Sequence, residues 1–209
     1  MPDFTRPPCS TLLVGMTGSD KTTFAIRYLL NAPDVACRFI FDDENRTAPR
    51  LKLAPAYTAA QLEAALASRW VCFSPHRMFP GNVKMGFRWF CHWVFNCAQR
   101  GPGEKIVNLP EVWKFCTADS IPFEFASICN EGRELGLQTL IDTQHPSLLN
   151  SAITGASTEL VCFKLIDDDD LREVRRMRPA DAAAVSALPL GSFLAYNRLS
   201  GASLAGRLF

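Results

Sequence analysis

Short apolar runs separated by segments of helical periodicity dominate the pattern of hydrophobic and polar positions along this chain. Continuous apolar runs are typical of strands buried on both faces of a sheet. We predict strands at 11–16, 38–41, 70–73, 105–111, 137–144, 159–165 and 193–197, and a last short strand near 204. We predict helices at 21–31, 57–69, 82–99 and 122–136, a short helix before 159, and another that opens at 167–170. Strands that alternate with helices indicate an α/β fold with a mostly parallel central sheet and helices on both faces.

The length of 209 residues suits one α/β domain with a substantial core. We predict a flexible N-terminal arm over 1–10, where prolines oppose regular structure, and a single domain over 11–209. The predicted helix 82–99 carries aromatic side chains around most of its circumference, which favours burial between the sheet and another element or subunit over a role in stacking on DNA. Arginines between 172 and 178 follow acidic residues, an order that suits the helix dipole and favours a structural role over a DNA contact.

The first predicted strand passes through a glycine-containing loop into a helix, which is the context of a phosphate-binding P-loop, the Walker A motif. In such a loop, backbone N–H groups and the helix N-terminus bind anionic oxygens, and a lysine adds positive charge. Lys21 is that lysine, and the hydroxyl of Thr22 is placed to bind Mg²⁺. The predicted nucleotide-binding residues are Gly15, Thr17, Gly18, Ser19, Lys21, Thr22 and Thr23.

Asp20 stands where the pattern G-x-x-x-x-G-K-[ST] has glycine. Its carboxylate would repel a phosphate at ~4 Å by on the order of 4 kcal/mol at an effective dielectric constant of about 20. We therefore expect weakened nucleotide binding unless the side chain turns away or a cation bridges it. A chance turn before a helix is the alternative interpretation of this loop.

A nucleotide hydrolase also has to hold Mg²⁺, activate water and neutralise charge on the transferred phosphoryl group. The fourth predicted strand ends in Pro110-Glu111, where Glu111 is a candidate general base and proline replaces a magnesium-organising aspartate. Gln144 follows the fifth strand and is placed to bind a γ-phosphate or the attacking water. Arg133 is a candidate arginine finger if another subunit's nucleotide lies opposite it. The alternatives are a surface carboxylate, a turn residue before Pro146 and a solvated arginine.

Three features follow one another between 132 and 165. In order they are Gly132-Arg133-x-x-Gly136, Thr143-Gln144-x-Pro146-Ser147, and Thr158 with the apolar strand after it. Together they resemble the FtsK–HerA superfamily of DNA-pumping ATPases, with His145 in place of that family's usual arginine. The small size and Phe41-Asp42-Asp43 at the end of the second strand resemble the compact, tectivirus-like genome-packaging ATPases of tailless, membrane-containing viruses. The similarity spans roughly 11–165.

The resemblance implies a RecA-like core that binds ATP and Mg²⁺, forms a homo-oligomeric, usually hexameric, ring and threads double-stranded DNA through its pore. By this likeness Glu111 activates water, Gln144 senses the γ-phosphate and Arg133 acts in trans. Capsid vertex proteins are a further expected partner, and the expected location is the host cytoplasm or the virion. Asp20 and Pro110 depart from the family pattern at its chemistry, which suggests weakened or lost hydrolysis.

A carboxylate from 42–43 is one conceivable substitute for the aspartate missing at 110.

Composition narrows these expectations. Twenty-two basic and 21 acidic residues give a net charge of +1, so DNA contacts have to be local or arise from a ring of subunits. Eight cysteines without a C-x-x-C pair or a histidine cluster indicate buried free thiols in a reducing cytosol and not a zinc site or disulfides. The polar, proline-rich 1–8 predicts no signal peptide, and the apolar segment 87–98 is too short and too polar to span a bilayer.

Three functions remain open at this point. The first is an ATP-driven double-stranded DNA translocase that packages a viral genome into a capsid. The second is a degenerate, weakly active or inactive ATPase that serves as a structural component of a ring or vertex. The third is a P-loop kinase acting on a small metabolite, which the sequence favours least because no lid or acceptor pocket is evident.

Overall fold

The computed structural model describes residues 10–32, 35–178 and 182–209. The strands in these ranges are β1 (Ser10–Val14), β2 (Cys37–Phe41), β3 (Trp70–Phe73), β4 (Lys105–Leu109), β5 (Leu137–Thr143), β6 (Glu159–Cys162), β7 (Ser192–Asn197) and β8 (Ser203–Arg207). The helices are α1 (Lys21–Asn31), α2 (Ala48–Leu51), α3 (Ala59–Ala65), α4 (Val83–Arg100), α5 (Phe123–Glu131), α6 (Ser151–Ala156), α7 (Asp168–Met177) and α8 (Ala182–Ala187). Short 3-10 helices lie at Leu66–Ser68, Pro75–Arg77, Val112–Lys114, Gly132–Leu135 and Pro146–Leu148.

These strands form one sheet in the order β3-β2-β4-β5-β1-β6-β7-β8. The first six strands in this spatial order, which end with β6, run parallel to one another. Strands β7 and β8 add an antiparallel hairpin at the β6 edge. The predicted α/β fold with a mostly parallel sheet is confirmed. Because β5 lies between β1 and β4, the residues that follow these three strands meet at one edge of the sheet.

Helices cover both faces of the sheet, as predicted. On one face, α1 buries Phe24, Ala25, Tyr28 and Leu29 against alternate residues of β1, β2, β4 and β5. On the other face, α4 packs aromatic side chains on the sheet and contacts α5, which belongs to the same core. The ring of Phe90 stacks on Phe73 of β3 with their centroids 5.4 Å apart. The aromatic helix is therefore buried against the sheet and α5 on most of its apolar side, while Lys84, Arg88 and His92 form an exposed stripe.

Contacts within the chain occupy several of the basic residues considered as DNA contacts. Arg88 of α4 donates to Glu124 of α5 at 2.8 Å. Arg172 and Arg176 pair with acidic residues three positions earlier on α7. The guanidinium of Arg178 lies 3.7 Å from the centroid of a tyrosine ring on β7. These contacts support the structural interpretation of the basic residues.

Several predicted boundaries shift by a few residues. β1 ends at Val14, two positions before the predicted end, because Gly15 already belongs to the P-loop turn. Of the predicted arm, 1–9 lie outside the described residues, whereas Ser10 is the first residue of β1. The seven cysteines that the structure describes are free thiols. Within the same ranges, no helix is long and apolar enough to cross a membrane.

Candidate active site

The P-loop connects the end of β1 to the start of α1, and two of its glycines are required by its geometry. A Cβ on Gly15 would lie 2.6 Å from both the Cβ of Phe163 and the Oγ of Ser19, so no larger residue fits there without a shift. Gly18 has a φ of +76°, a backbone conformation that glycine adopts readily. The space beside Gly18 is open, so the turn at this position stands clear of its neighbours.

Asp20 adopts a left-handed backbone conformation, which glycine adopts readily and residues with a Cβ rarely do. It caps α1 with φ 74° and ψ 21°, in the left-handed region. Its side chain makes no capping hydrogen bond to the helix backbone, and its Oδ1 accepts from the hydroxyl of Thr23 at 3.3 Å. Because glycine would be compatible with this backbone, the main effect of aspartate here is its negative charge.

Lys21 is buried and points back into the loop. Its Nζ donates to the carbonyl oxygens of Gly15 at 2.7 Å and Met16 at 3.3 Å. Burial lowers the pKa of Lys21, and the nearby carboxylates of Asp142 and Glu111 partly offset that effect. The ammonium group therefore satisfies backbone oxygens in this state, and it has to leave them to reach a phosphate.

A cavity of about 370 Å³ opens over the loop, within the range of roughly 300–1,000 Å³ typical of small-molecule sites. Residues 17–23 form one wall. The other wall is formed by Arg46, Arg50, Glu111 and Gln144. The geometry suits a nucleotide phosphate chain, because the backbone at the start of α1 and three cationic side chains face the same space.

Glu111 and Gln144, predicted separately from the sequence, lie in one hydrogen-bond network. Gln144 donates from Nε2 to Oε1 of Glu111 at 2.6 Å, and its Oε1 accepts from the hydroxyl of Thr17 in the P-loop. Trp113 donates from Nε1 to the other carboxylate oxygen of Glu111 at 2.7 Å. Glu111 is only 8% exposed, which argues against a merely solvated surface carboxylate.

The turn that carries Gln144 is itself anchored. Asp170, buried on α7, accepts from the backbone N–H of Ser147 at 3.1 Å and from its hydroxyl at 2.6 Å. The same carboxylate contacts Nδ1 of His145 at 3.2 Å. Helix α7 therefore holds the Thr-Gln-x-Pro-Ser segment against the end of β5.

Arg133 lies apart from this cavity. It is exposed in the 3-10 helix that precedes β5, whereas Gln144 follows the same strand. The seven residues of β5 span about 23 Å at ~3.3 Å per residue. Arg133 therefore cannot reach the phosphate cavity of its own chain.

Sequence reasoning missed four residues near the cavity. Arg46 and Arg50 arrive from the segment after β2, which carries no motif. Asp142 is buried on β5, where the backbone N–H of Glu111 donates to its Oδ1 at 3.1 Å. Asn108 is buried on β4, and its Oδ1 has no hydrogen-bond partner among the described residues. The available signal for the last two was a polar residue close to the carboxyl end of a buried strand, Asn108 in β4 and Asp142 in β5.

Burial raises the pKa of Asp142 to about 7, and the negative charge of Glu111 adds to that shift, whereas Lys21 opposes it.

A second, smaller space of about 20 Å³ lies beside the cavity, and its lining includes Thr22, Asn108, Asp142 and Glu111. It has about the size of one bound water or ion. The unpartnered oxygen of Asn108, the hydroxyl of Thr22 and the carboxylate of Asp142 are all ligands that Mg²⁺ accepts. Among the described residues no group of three His, Cys, Asp or Glu side chains is arranged to hold a metal on its own. These donors fit a cation that shares its coordination with a nucleotide.

Comparison with known proteins finds this fold in several solved ATPase structures. No protein-family model matches the sequence, and no curated protein matches it significantly. The genome-packaging NTPase B204 of Sulfolobus turreted icosahedral virus 2, in complex with sulfate, superposes with a TM-score of 0.79 at 16% identity, covering 98% of each chain. The chain therefore shares the fold of this NTPase over nearly its whole described length. VirB4 of Thermoanaerobacter pseudethanolicus superposes with a TM-score of 0.75 at 8% identity, over 96% of this chain and 89% of VirB4.

The cytoplasmic domain of the type VII secretion ATPase EccC from Thermomonospora curvata matches 95% of this chain with a TM-score of 0.58 at 14% identity, but the match covers 25% of EccC. The predicted resemblance is thus confirmed at the level of the fold. The B204 NTPase has also been solved with AMP, AMPPCP and ATP-gammaS.

Proposed function

We propose that this protein is an ATP-hydrolysing motor that moves double-stranded DNA and packages a viral genome into its capsid. The observation that carries the proposal is the network in which Gln144 joins the P-loop hydroxyl of Thr17 to the carboxylate of Glu111. It connects a phosphate-binding loop to a candidate base at the mouth of a nucleotide-sized cavity. The full-length similarity of the fold to a packaging NTPase supports the same function.

The residues at the cavity would have different roles in the proposed reaction. The start of α1 and Lys21 would bind the phosphates, and Glu111 would accept a proton from the attacking water. Both oxygens of Glu111 accept hydrogen bonds in this state, from Trp113 and Gln144. Gln144 also faces the P-loop, so turning its amide towards a γ-phosphate would release one oxygen of Glu111 for catalysis. Bound Mg²⁺ would supply charge neutralisation at the transferred phosphoryl group.

A ring would complete the site. Arg133 is exposed at the edge of the sheet opposite the cavity, so its guanidinium would be accessible to a neighbouring subunit. We therefore propose a homo-oligomeric, hexameric ring in which Arg133 of one subunit faces the nucleotide of the next. With a net charge of only +1, the DNA-binding surface would be the lining of the ring and not the whole molecule. Capsid vertex proteins would be its docking partners.

Three observations favour a second function, a degenerate ATPase that acts as a structural ring or vertex component. Lys21 is bound to its own loop carbonyls, Asp20 adds negative charge beside the phosphate site, and Pro110 lacks the expected carboxylate. If these features prevent turnover, the protein would retain the fold and assemble without acting as a motor.

The test is ATP hydrolysis by purified protein with and without double-stranded DNA. We expect stimulation by DNA, loss of nucleotide binding in Lys21→Ala, and nucleotide binding without hydrolysis in Glu111→Gln. Glu131→Gln is the matched control, because Glu131 is exposed at the end of α5. Nucleotide binding without hydrolysis in the wild type would favour the structural role. Transfer of phosphate to a small acceptor with no response to DNA would instead indicate a kinase.

A further inference from the structure

The carboxyl ends of β2, β4 and β5 lie side by side, so a residue from a neighbouring strand could replace the aspartate that is missing at 110. The registers pair Ile40 with Asn108 and Leu109 with Ile141. Extending them places Asp42, Pro110 and Asp142 side by side. Since strands lie about 4.8 Å apart, an aspartate on either side of Pro110 is one strand away from the expected position.

Asp42 is committed to the local backbone. Its Oδ1 accepts from the N–H of Arg46 at 2.8 Å, and its Oδ2 accepts from the N–H of Ala48 at 2.8 Å. The N–H of Thr47 contacts both oxygens at 3.1 Å. The carboxylate thus anchors the segment that leads into α2. Its next neighbour, Asp43, faces the ammonium group of Lys114 at 3.8 Å. Neither carboxylate is therefore well placed to replace the missing aspartate, contrary to the substitute considered from the sequence.

Asp142 accepts fewer hydrogen bonds than Asp42, although lysine charges stabilise its carboxylate as Lys114 stabilises that of Asp43. The described residues give it one hydrogen bond, from the N–H of Glu111 to Oδ1, so Oδ2 accepts none from them. The side chain is 4% exposed, and burying a carboxylate is costly unless it is paired. Like Asp42 and Asp43, it lines the same small space as Thr22 and Asn108, and the buried Oδ1 of Asn108 has no partner among the described residues. The lining of this ion-sized volume thus includes an amide oxygen, a hydroxyl and the Asp142 carboxylate, whose Oδ2 accepts no hydrogen bond from the described residues.

We propose that Asp142 on β5 takes the role vacated at position 110 and organises the divalent cation that accompanies the nucleotide. Asn108 Oδ1 and the Thr22 hydroxyl complete the protein's share of the site. Mg²⁺ is commonly held by one or two carboxylates together with phosphate oxygens and water, so this donor set is sufficient. The inference rests on the proposed nucleotide site, but it assigns the cation to a different strand from the one that the motif predicts.

The test measures how strongly Mg²⁺ tightens the binding of a fluorescent ATP analogue, as the ratio of its Kd values in EDTA and in Mg²⁺. Asp142→Asn preserves the shape and the acceptor for the Glu111 N–H while removing the charge. We expect this variant to bind the analogue in EDTA at least as tightly as the wild type and to lose about 10–100-fold of the magnesium effect. In the double variant Pro110→Asp/Asp142→Asn, the effect should return. Asp43→Asn is the matched control and should keep it.

A wild-type magnesium effect in Asp142→Asn would overturn the inference, as would its loss in Asp43→Asn alone. Nucleotide binding by the wild type without any magnesium effect would also overturn it, while leaving the nucleotide site intact. No nucleotide binding at all would refute the proposed function and the inference with it. If Asp142→Asn does not fold, Asp142→Ala is measured in its place, alone and with Pro110→Asp, against the same expectations.

Discussion

Replacing Asp20 by glycine should tighten nucleotide binding, and the gain should grow with the charge of the phosphate chain. Asp20 lines the phosphate cavity and is half-buried, so its carboxylate is partly screened by water. At ~4 Å, two unit charges repel by about 1 kcal/mol in water and about 4 kcal/mol at an effective dielectric constant of 20. Taking the lower figure, relief of one repulsion strengthens binding about fivefold. We expect the smallest gain for AMP and the largest for ATP.

The same substitution should leave the stability of the free protein almost unchanged. Glycine relieves a left-handed conformation, whose cost for residues with a Cβ is roughly 1–2 kcal/mol and lower for aspartate. It also makes the unfolded chain more flexible, at a cost of about 0.4–1 kcal/mol. Asp20 makes no capping hydrogen bond to α1 that the variant would lose. A change in affinity therefore reports on the phosphate site and not on folding.

The assay is titration with AMP, ADP and ATP in EDTA at low and high salt, accompanied by thermal unfolding. Asp20→Asn separates the two effects, because asparagine tolerates the same backbone conformation but carries no charge. It should give most of the gain, and high salt should reduce that gain. If Asp20→Asn matches the wild type for all three nucleotides, the carboxylate is not the obstacle and this reasoning fails.

Three further predictions concern the surroundings of the site. Trp113→Phe removes a donor to the candidate base, and we expect hydrolysis to fall roughly 10-fold or more at unchanged nucleotide affinity, measured by steady-state turnover. Gly15→Ala puts a Cβ 2.6 Å from that of Phe163 and should destabilise the fold by about 1–3 kcal/mol in denaturant titrations, whereas Gly155→Ala meets no neighbour within 4 Å and should not. The pKa of Asp142 is raised to about 7, so between about pH 4 and 7 the folded state binds this proton more tightly than the unfolded chain. As the pH rises through that window, the free energy of unfolding of the wild type should therefore fall by about 4 kcal/mol relative to that of Asp142→Asn. Parallel pH profiles of the two proteins would contradict this prediction.

The sheet could be predicted from the sequence because its strands are continuous apolar runs. β3 was predicted residue for residue at Trp70–Phe73, and the aromatic composition of α4 predicted its burial. The helices α2 and α8 were missed, since four and six residues are too few to show a helical period. Their positions depend on tertiary contacts. For α2, these include the hydrogen bonds that the Asp42 carboxylate accepts from the backbone N–H groups of residues 46–48.

The site was predictable where a motif fixes residue types at short spacing. Lys21 in the P-loop and Gln144 after β5 are of this kind, and both line the cavity, while their roles in binding and catalysis stay predictions. Arg46 was not predictable, because it enters the cavity from a segment without any motif. Asp142 could not be predicted for a different reason. It lies near Pro110 only because β5 is next to β4 in the sheet, and the local sequence does not determine the order of the strands.

The two departures from the consensus motif have a common electrostatic consequence. Asp20 adds a carboxylate at the start of α1, and Asp142 puts another one strand closer to β1 than an aspartate at 110 would be. Both carboxylates bring negative charge towards the space where Lys21 has to meet a phosphate. Lys21 is already bound to loop carbonyls. A divalent cation would add positive charge to that of Arg46 and Arg50 at the cavity and offset these carboxylates, so nucleotide binding should depend on magnesium more steeply here than in a P-loop with glycine before its lysine.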